Sequence, residues 1–286
     1  MPQTSYKSGR ELAASTIKKY ELALKRIEVA EKDLSKPAEV IEWIRAKGGD
    51  DALFQKLYYS AIKYYMSQPP RVFPQEYQDE LNRLYKLQNA ADPKQQLSEK
   101  HVENYVPYAD LLKVQERLAA KEDKSDKDWR DYLIASLYTL QPPVRADYGS
   151  VQVVGKRSAS REGNQLVWGQ KTGAYFIWKE YKTKGDYGTV EVRVSDALST
   201  VITGWFEHLG KRPKYLLGRA IDNNAILGEI QHAFRSTKKD IGVDLLRHAY
   251  IKHHFPSLTS IAQKDELARK MLHSRATQEM YNSQNV

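Results

Sequence analysis

The sequence predicts a mainly α protein of two domains: an all-helical one, followed by an α+β one that carries a single small antiparallel sheet. Three observations predict it. A length of 286 residues suits two domains better than one. Apolar residues recur at helical spacing over most of the chain. After Pro142-Pro143 the period changes, and Val190, Val192 and Val194 alternate with Glu191 and Arg193, as in a strand with one buried face.

Residues 1–12 read as a polar arm, and the helical domain spans 13–95. Ser15 and Thr16 are expected to cap a helix with Ile17, Tyr20, Leu24 and Ile27 on one face. Pro37 to Ala46 forms a second helix, ended by Gly48-Gly49. A third covers Asp51 to Met66, with Phe54, Leu57, Tyr58, Ala61, Ile62 and Tyr65 inward, and stops at Pro69-Pro70. A fourth spans Pro74 to Leu87. Asn89 to Gln96, with Asp92-Pro93 and no apolar pattern, is the expected linker to a second domain at 96–286. There helices resume at Ser98, break at Pro107 and continue through a stripe of Trp129, Leu133, Ile134, Leu137 and Leu140. Val151 to Val154, Gln165 to Trp168 and Ala174 to Lys184 read as strands, with Gly185 to Gly188 turning into the next one. From Asp196 the chain is helical again, Leu198, Val201, Ile202, Trp205, Phe206 and Leu209 sharing a face.

Composition narrows the chemistry. There is no cysteine, which excludes disulfides, thiolate catalysis and cysteine-type zinc sites. No stretch reaches the roughly 20 apolar residues that a membrane helix needs. Met1 to Arg10 lacks the apolar run of a secretory signal, so the expected location is intracellular, or inside a particle. Lys+Arg outnumber Asp+Glu by 45 to 36, a net charge of +9 that suits an anionic partner such as nucleic acid.

Several residues of the second domain stand out. Arg145 follows Leu140-Gln-Pro-Pro-Val, and Lys182 and Lys184 lie in Tyr181-Lys-Thr-Lys-Gly. Arg247 lies in Asp244-Leu-Leu-Arg-His-Ala-Tyr, and His273 and Tyr281 in Met271-Leu-His-Ser-Arg-Ala-Thr-Gln-Glu-Met-Tyr. Over nearly the whole chain, this order of boxes resembles the tyrosine recombinases (integrases). Pro142 to Tyr148 is similar to the integrase-like proteins of large DNA viruses and eukaryotic mobile elements. The resemblance implies a helical core-binding domain, a catalytic domain with a small sheet, and duplex DNA held by a homotetramer on two sites. It implies Arg145 and Arg247 as a bidentate clamp on the scissile phosphate and His273 as a further donor. Tyr281 becomes the nucleophile of a 3′-phosphotyrosine link, and a hairpin lysine, Lys184 by preference over Lys182, protonates the leaving 5′-oxygen. No metal, cofactor or ATP is implied.

This sequence departs from the family's pattern in three ways. Asp244 stands where His-x-x-Arg has its histidine, so Asp244 is either the base for Tyr281 or a residue that orients Arg247; His248, His253 and His254 are less favoured bases. Tyr281 follows His273 by eight residues, one fewer than is common among relatives, and a short tail, Asn282 to Val286, follows the tyrosine. Among basic residues outside the boxes, Lys18 and Lys19 in the first helix and Lys211, Arg212 and Lys214 in a loop are candidate backbone contacts to DNA. Each has an ordinary solvated-face explanation too. Arg145 could cap free helix carbonyls, Arg247 could pair with Asp244, and a hairpin-tip lysine is a common surface residue. Two other functions fit the same residues: type IB topoisomerase chemistry, against which the helical first domain argues, and a DNA-binding protein descended from a recombinase that no longer cuts.

Overall fold

A computed structural model describes residues 12, 14–90, 98–156, 162–169 and 173–283. The polar-arm expectation therefore lies almost wholly outside the described residues, as does most of the expected linker. The chain divides into two compact units, Met1–Pro93 and Lys94–Val286.

The first unit is four helices: α1 Ala14–Val29, α2 Pro37–Gly48, α3 Ala52–Met66 and α4 Gln75–Ala90. Pro37 opens α2, where its missing N–H costs nothing. Gly49, at φ 50°, ends it in a conformation that side chains resist. The Asp51 carboxylate accepts from the N–H groups of Leu53 and Phe54 and so caps α3. Ile27, Val40, Ile44, Tyr59, Ile62 and Tyr77 are fully buried together. Two details differ from the sequence reading. The first helix begins at Ala14, which puts Ser15 and Thr16 inside its first turn rather than ahead of it. Its innermost residues are Ala23 and Ile27, while Ile17, Tyr20 and Leu24 are half-buried.

The second unit begins with α5 Glu99–Asn104, α6 Tyr108–Ala120 and α7 Asp126–Thr139. A 3-10 turn, Ala146–Ser150, leads into β1 Gln152–Val154, β2 Gln165–Val167 and β3 Tyr175–Trp178. A one-turn helix, α8 Lys184–Tyr187, then precedes β4 Val190–Arg193. Five helices complete the unit: α9 Asp196–His208, α10 Asn223–Ala233, α11 Val243–His254, α12 Ile261–Lys270 and α13 Arg275–Ser283. Reciprocal capping boxes start α7, from Ser125 and Asp128, and α12, from Ser260 and Gln263.

The sheet order is β1-β2-β3-β4 and the sheet is mixed, not antiparallel as expected. β1 and β2 run parallel, Val153 opposite Leu166, while β2–β3 and β3–β4 are antiparallel. Alternating burial reports which face a residue takes; direction is set by the ladder, here by Gln152 N–H donating to the Asn164 carbonyl and Trp168 N–H to that of Val154. The third strand also ends early. Ala174 to Lys184 reads as one strand in sequence, but pairing with β4 stops at Trp178–Val190, and Asn164 accepts from the Lys179 and Glu180 N–H groups through its side chain. Lys184 consequently opens a helical turn rather than sitting on a strand.

Candidate functional site

The site is built around α11. Its residues Leu245 to Ile251 are buried without interruption, so this helix runs through the interior with packing on every side. Arg247 is fully buried as a consequence. One of its terminal nitrogens, Nη2, donates to the Met271 carbonyl at 3.2 Å and to His273 Nδ1 at 2.7 Å. Its Nε and Nη1 have no hydrogen-bond partner. The nearest carboxylate oxygen, Asp244 Oδ1, lies 3.9 Å from Nη1 and belongs to a largely exposed residue. That is too long for a hydrogen bond. Burial lowers the affinity of this guanidinium for its proton, although arginine keeps its charge in proteins. A buried cation with two idle donors costs several kcal/mol unless something anionic meets it.

His273 supplies the next donor. Arginine only donates, so Nδ1 must be the accepting nitrogen and the ring proton sits on Nε2. Nε2 is buried and without a partner. Burial, helped by Arg247 and Arg145 nearby, pushes the His273 pKa down to about 2, so the ring is neutral and its proton assignment stable across the physiological range.

Arg145 arrives from a different element. It precedes the 3-10 turn that follows α7, and its carbonyl accepts from the Tyr138 hydroxyl at 2.9 Å. Tyr148 anchors the other end of that turn: it is fully buried, edge-on to Phe176 and Trp178 of β3, with its hydroxyl donating to Leu137. Gly149 is required just after Tyr148, because a Cβ there would overlap the Ile221 carbonyl oxygen, which its backbone approaches through a 2.8 Å bond from the Ile221 N–H to the Gly149 carbonyl. The Arg145 side chain donates from Nη1 to the Leu272 carbonyl at 3.2 Å. Leu272 is itself buried at φ 56°, a left-handed conformation that turns the chain between α12 and α13. Two successive carbonyls, of Met271 and Leu272, thereby each hold one of the two arginines.

Tyr281 lies on α13, its ring centre 5.9 Å from the Arg247 guanidinium carbon and 6.1 Å from the His273 ring. Its hydroxyl donates to Asp244 Oδ1 at 3.4 Å. Burial holds the phenol above its ordinary pKa against the pull of Arg247, so it keeps its proton until an acceptor takes it. Arg145, Arg247, His273, Tyr281 and Asp244 are thus brought together. Lys184 is not tied to them: its ammonium pairs with Glu180 at 2.6 Å, both side chains well exposed, an arrangement worth about 0–1 kcal/mol. Lys182 is exposed in the same turn. Between the two, Thr183 donates from its hydroxyl to the Leu272 carbonyl at 2.9 Å. His253 and His254 pack on Tyr108, and His248, with its pKa pushed down to about 4 by burial, lies tilted against Tyr281 with ring centres 5.6 Å apart.

The candidate DNA-contact lysines and arginine are all exposed: Lys18 and Lys19 on α1, and Lys211, Arg212 and Lys214 in the segment that follows α9. That segment lies along the edge of β1, with Val153 N–H donating to the Lys214 carbonyl.

Four participants escaped the sequence reading. Leu272 and Thr183 act through a carbonyl and a hydroxyl contact that no spacing rule reveals. Asp147 carried a signal, its place in Pro142 to Tyr148; burial raises the pKa of its carboxyl, while the charges of Arg145 and Arg247 draw it down. Gln278, one turn before Tyr281 on α13, is fully buried with both amide atoms unpartnered. Among the described residues, no group of three or more His, Cys, Asp or Glu is placed to hold a metal ion.

No protein-family model matches the chain, and no curated protein matches it in sequence. Solved structures do match in shape. XerH site-specific recombinase, bound to a palindromic difH substrate in a post-cleavage complex, superposes with a TM-score of 0.52 at 12% identity, over 96% of this chain and 77% of that one. XerA recombinase aligns over 98% of this chain and 91% of its own, with a TM-score of 0.44 at 15% identity. The similarity to XerH, together with the helical first unit and the small sheet of the second, gives the chain the fold of the tyrosine recombinases.

Proposed function

We propose that this protein is a site-specific DNA recombinase that cuts and rejoins duplex DNA through a 3′-phosphotyrosine link to Tyr281. The observation that carries the reading is the set of buried, idle donors on Arg247 and His273, both beside the ring of Tyr281. A phosphodiester supplies the anion they lack. Arg145, Arg247 and His273 Nε2–H would bind the non-bridging oxygens, whose charge grows in the pentacoordinate transition state. The Tyr281 oxygen attacks phosphorus and forms the P–O bond as the bond to the 5′-oxygen breaks. The phenolic proton passes to Asp244, the carboxylate already receiving its hydrogen bond. The leaving 5′-oxygen takes a proton from Lys182 or Lys184. Religation reverses each transfer, and the ester conserves the energy of the broken bond.

DNA is the partner, with Lys18, Lys19, Lys211, Arg212 and Lys214 as backbone contacts, and exchange between two sites calls for four protomers. The likeness of Pro142 to Tyr148 to integrases of large DNA viruses and eukaryotic mobile elements points to a mobile element as the substrate's source, acted on wherever that DNA resides in the cell.

The test is covalent capture. Nicked duplex fragments of the DNA that flanks the gene are incubated with the protein and resolved under denaturing conditions. The expected result is an adduct that is lost in Tyr281→Phe. Retarded fragments with no adduct support the non-cutting DNA-binding reading and overturn this one. Relaxation of supercoiled plasmid without site preference supports topoisomerase chemistry instead.

A further inference from the structure

Proton donation to the 5′-oxygen requires a lysine held within hydrogen-bond reach of it, yet the turn that carries both lysines is on the surface. Residues 182 and 184–189 are exposed, and the Lys184 ammonium is engaged with Glu180. Thr183 is the half-buried exception. Its hydroxyl reaches the Leu272 carbonyl, the same oxygen that receives Arg145. That oxygen is fixed in turn by a buried, left-handed residue one position before His273. A carbonyl has two lone pairs and accepts both donors at once.

We propose that Thr183 is a positioning residue: it sets the lysine-bearing turn, and with it the proton donor, at a fixed distance from the arginine that binds the phosphate. The inference rests on the recombinase reading. It assigns Thr183 no contact with DNA; the residue acts through the flanking lysine. Misplacing a reacting group by about 1 Å costs up to about a hundredfold in rate, which is the size of effect available to such an anchor.

A bridging-sulfur substrate isolates this role. When the scissile bond is P–S, the 5′ group leaves as a thiolate, whose conjugate acid has a pKa near about 8.5, and needs no proton. An alkoxide, close to hydroxide in basicity, does need one. Adduct formation is timed for the wild type, Thr183→Val, Thr183→Ser and Arg145→Ala on the captured duplex, with oxygen or sulfur at the bridging 5′ position. Valine keeps the branched shape and removes the hydroxyl; serine keeps the hydroxyl. Thr183→Val is expected to slow oxygen cleavage by about ten- to a hundredfold and to approach the wild-type rate with sulfur. Thr183→Ser is expected to recover the oxygen rate, and Arg145→Ala to stay slow on both substrates.

Equal slowing of Thr183→Val on both substrates, no slowing on either, or a Thr183→Ser as slow as the valine variant each overturns the proposal. Should valine unfold the turn, Thr183→Ala, which also removes the hydroxyl, is timed on both substrates in its place. A wild type that forms no adduct with either substrate overturns the recombinase reading itself, and the positioning role with it.

Discussion

His273 illustrates how one contact fixes a chemical state. Because Arg247 can only donate, the ring is held neutral with its proton on Nε2, where a phosphate oxygen can take it. A histidine whose folded pKa is depressed binds fewer protons in the native state than in the unfolded one, so stability rises with pH through the gap. For His248 that gap runs from about 4 to the ordinary 6.5, and for His273 from about 2 to 6.5. Asp147 works in the opposite sense just above its ordinary 3.8, since its folded pKa is raised and stability is lost as it ionises. Denaturant melts of Asp147→Asn should therefore show stability climbing between pH 4.5 and 6.5, with the climb reduced in Asp147→Asn/His273→Gln. The idle donors predict a second outcome. Inorganic phosphate should raise the melting temperature beyond a chloride control of equal ionic strength, the stabilisation reaching about 2.7 kcal/mol at a hundredfold excess over its dissociation constant. Scanning calorimetry of Arg145→Ala should show the increment gone.

At the level of elements, a turn and a strand end decide where the site lies. The 3-10 turn after α7 is held by Tyr138 and Tyr148 and closes only over a glycine. Gly149→Ala should cost about 3 kcal/mol, read as a lower denaturation midpoint, because a backbone oxygen rather than a flexible side chain is in the way. Much of this layer was legible in the sequence. Helical periodicity found α3 almost to the residue, since Asp51, Pro69 and a stripe of aromatic side chains all agree there. The side chains of the arginine, histidine and tyrosine boxes do come together, and their residue types are visible in sequence because each carries its chemistry in a side chain. Strands of three and four residues hold too few positions to declare direction or end, so the parallel β1–β2 pair and the early stop at Trp178 were not readable. Nor was the Leu272 junction, where the working group is a peptide oxygen common to every residue.

For the whole molecule, the excess of basic residues is spread over both units, with Lys18 and Lys19 in one and Lys211, Arg212 and Lys214 in the other. Duplex binding measured from 50 to 200 mM salt should weaken along a straight line in log–log form, and neutralising Lys18 and Lys19 together should flatten its slope by about 1.8. A binding curve unchanged in slope removes α1 from the DNA face. The arrangement of the second unit also bears on how a cell makes this protein. Arg145 and Arg247 emerge from the ribosome before Met271 and Leu272, whose oxygens hold their side chains, and before the tyrosine of α13. A chain released before residue 271 holds both arginines without the two carbonyls that orient them. Under the proposed function, such a fragment lacks Tyr281 as well, so interrupted synthesis would leave the phosphate-binding side chains unaimed and with no nucleophile to serve.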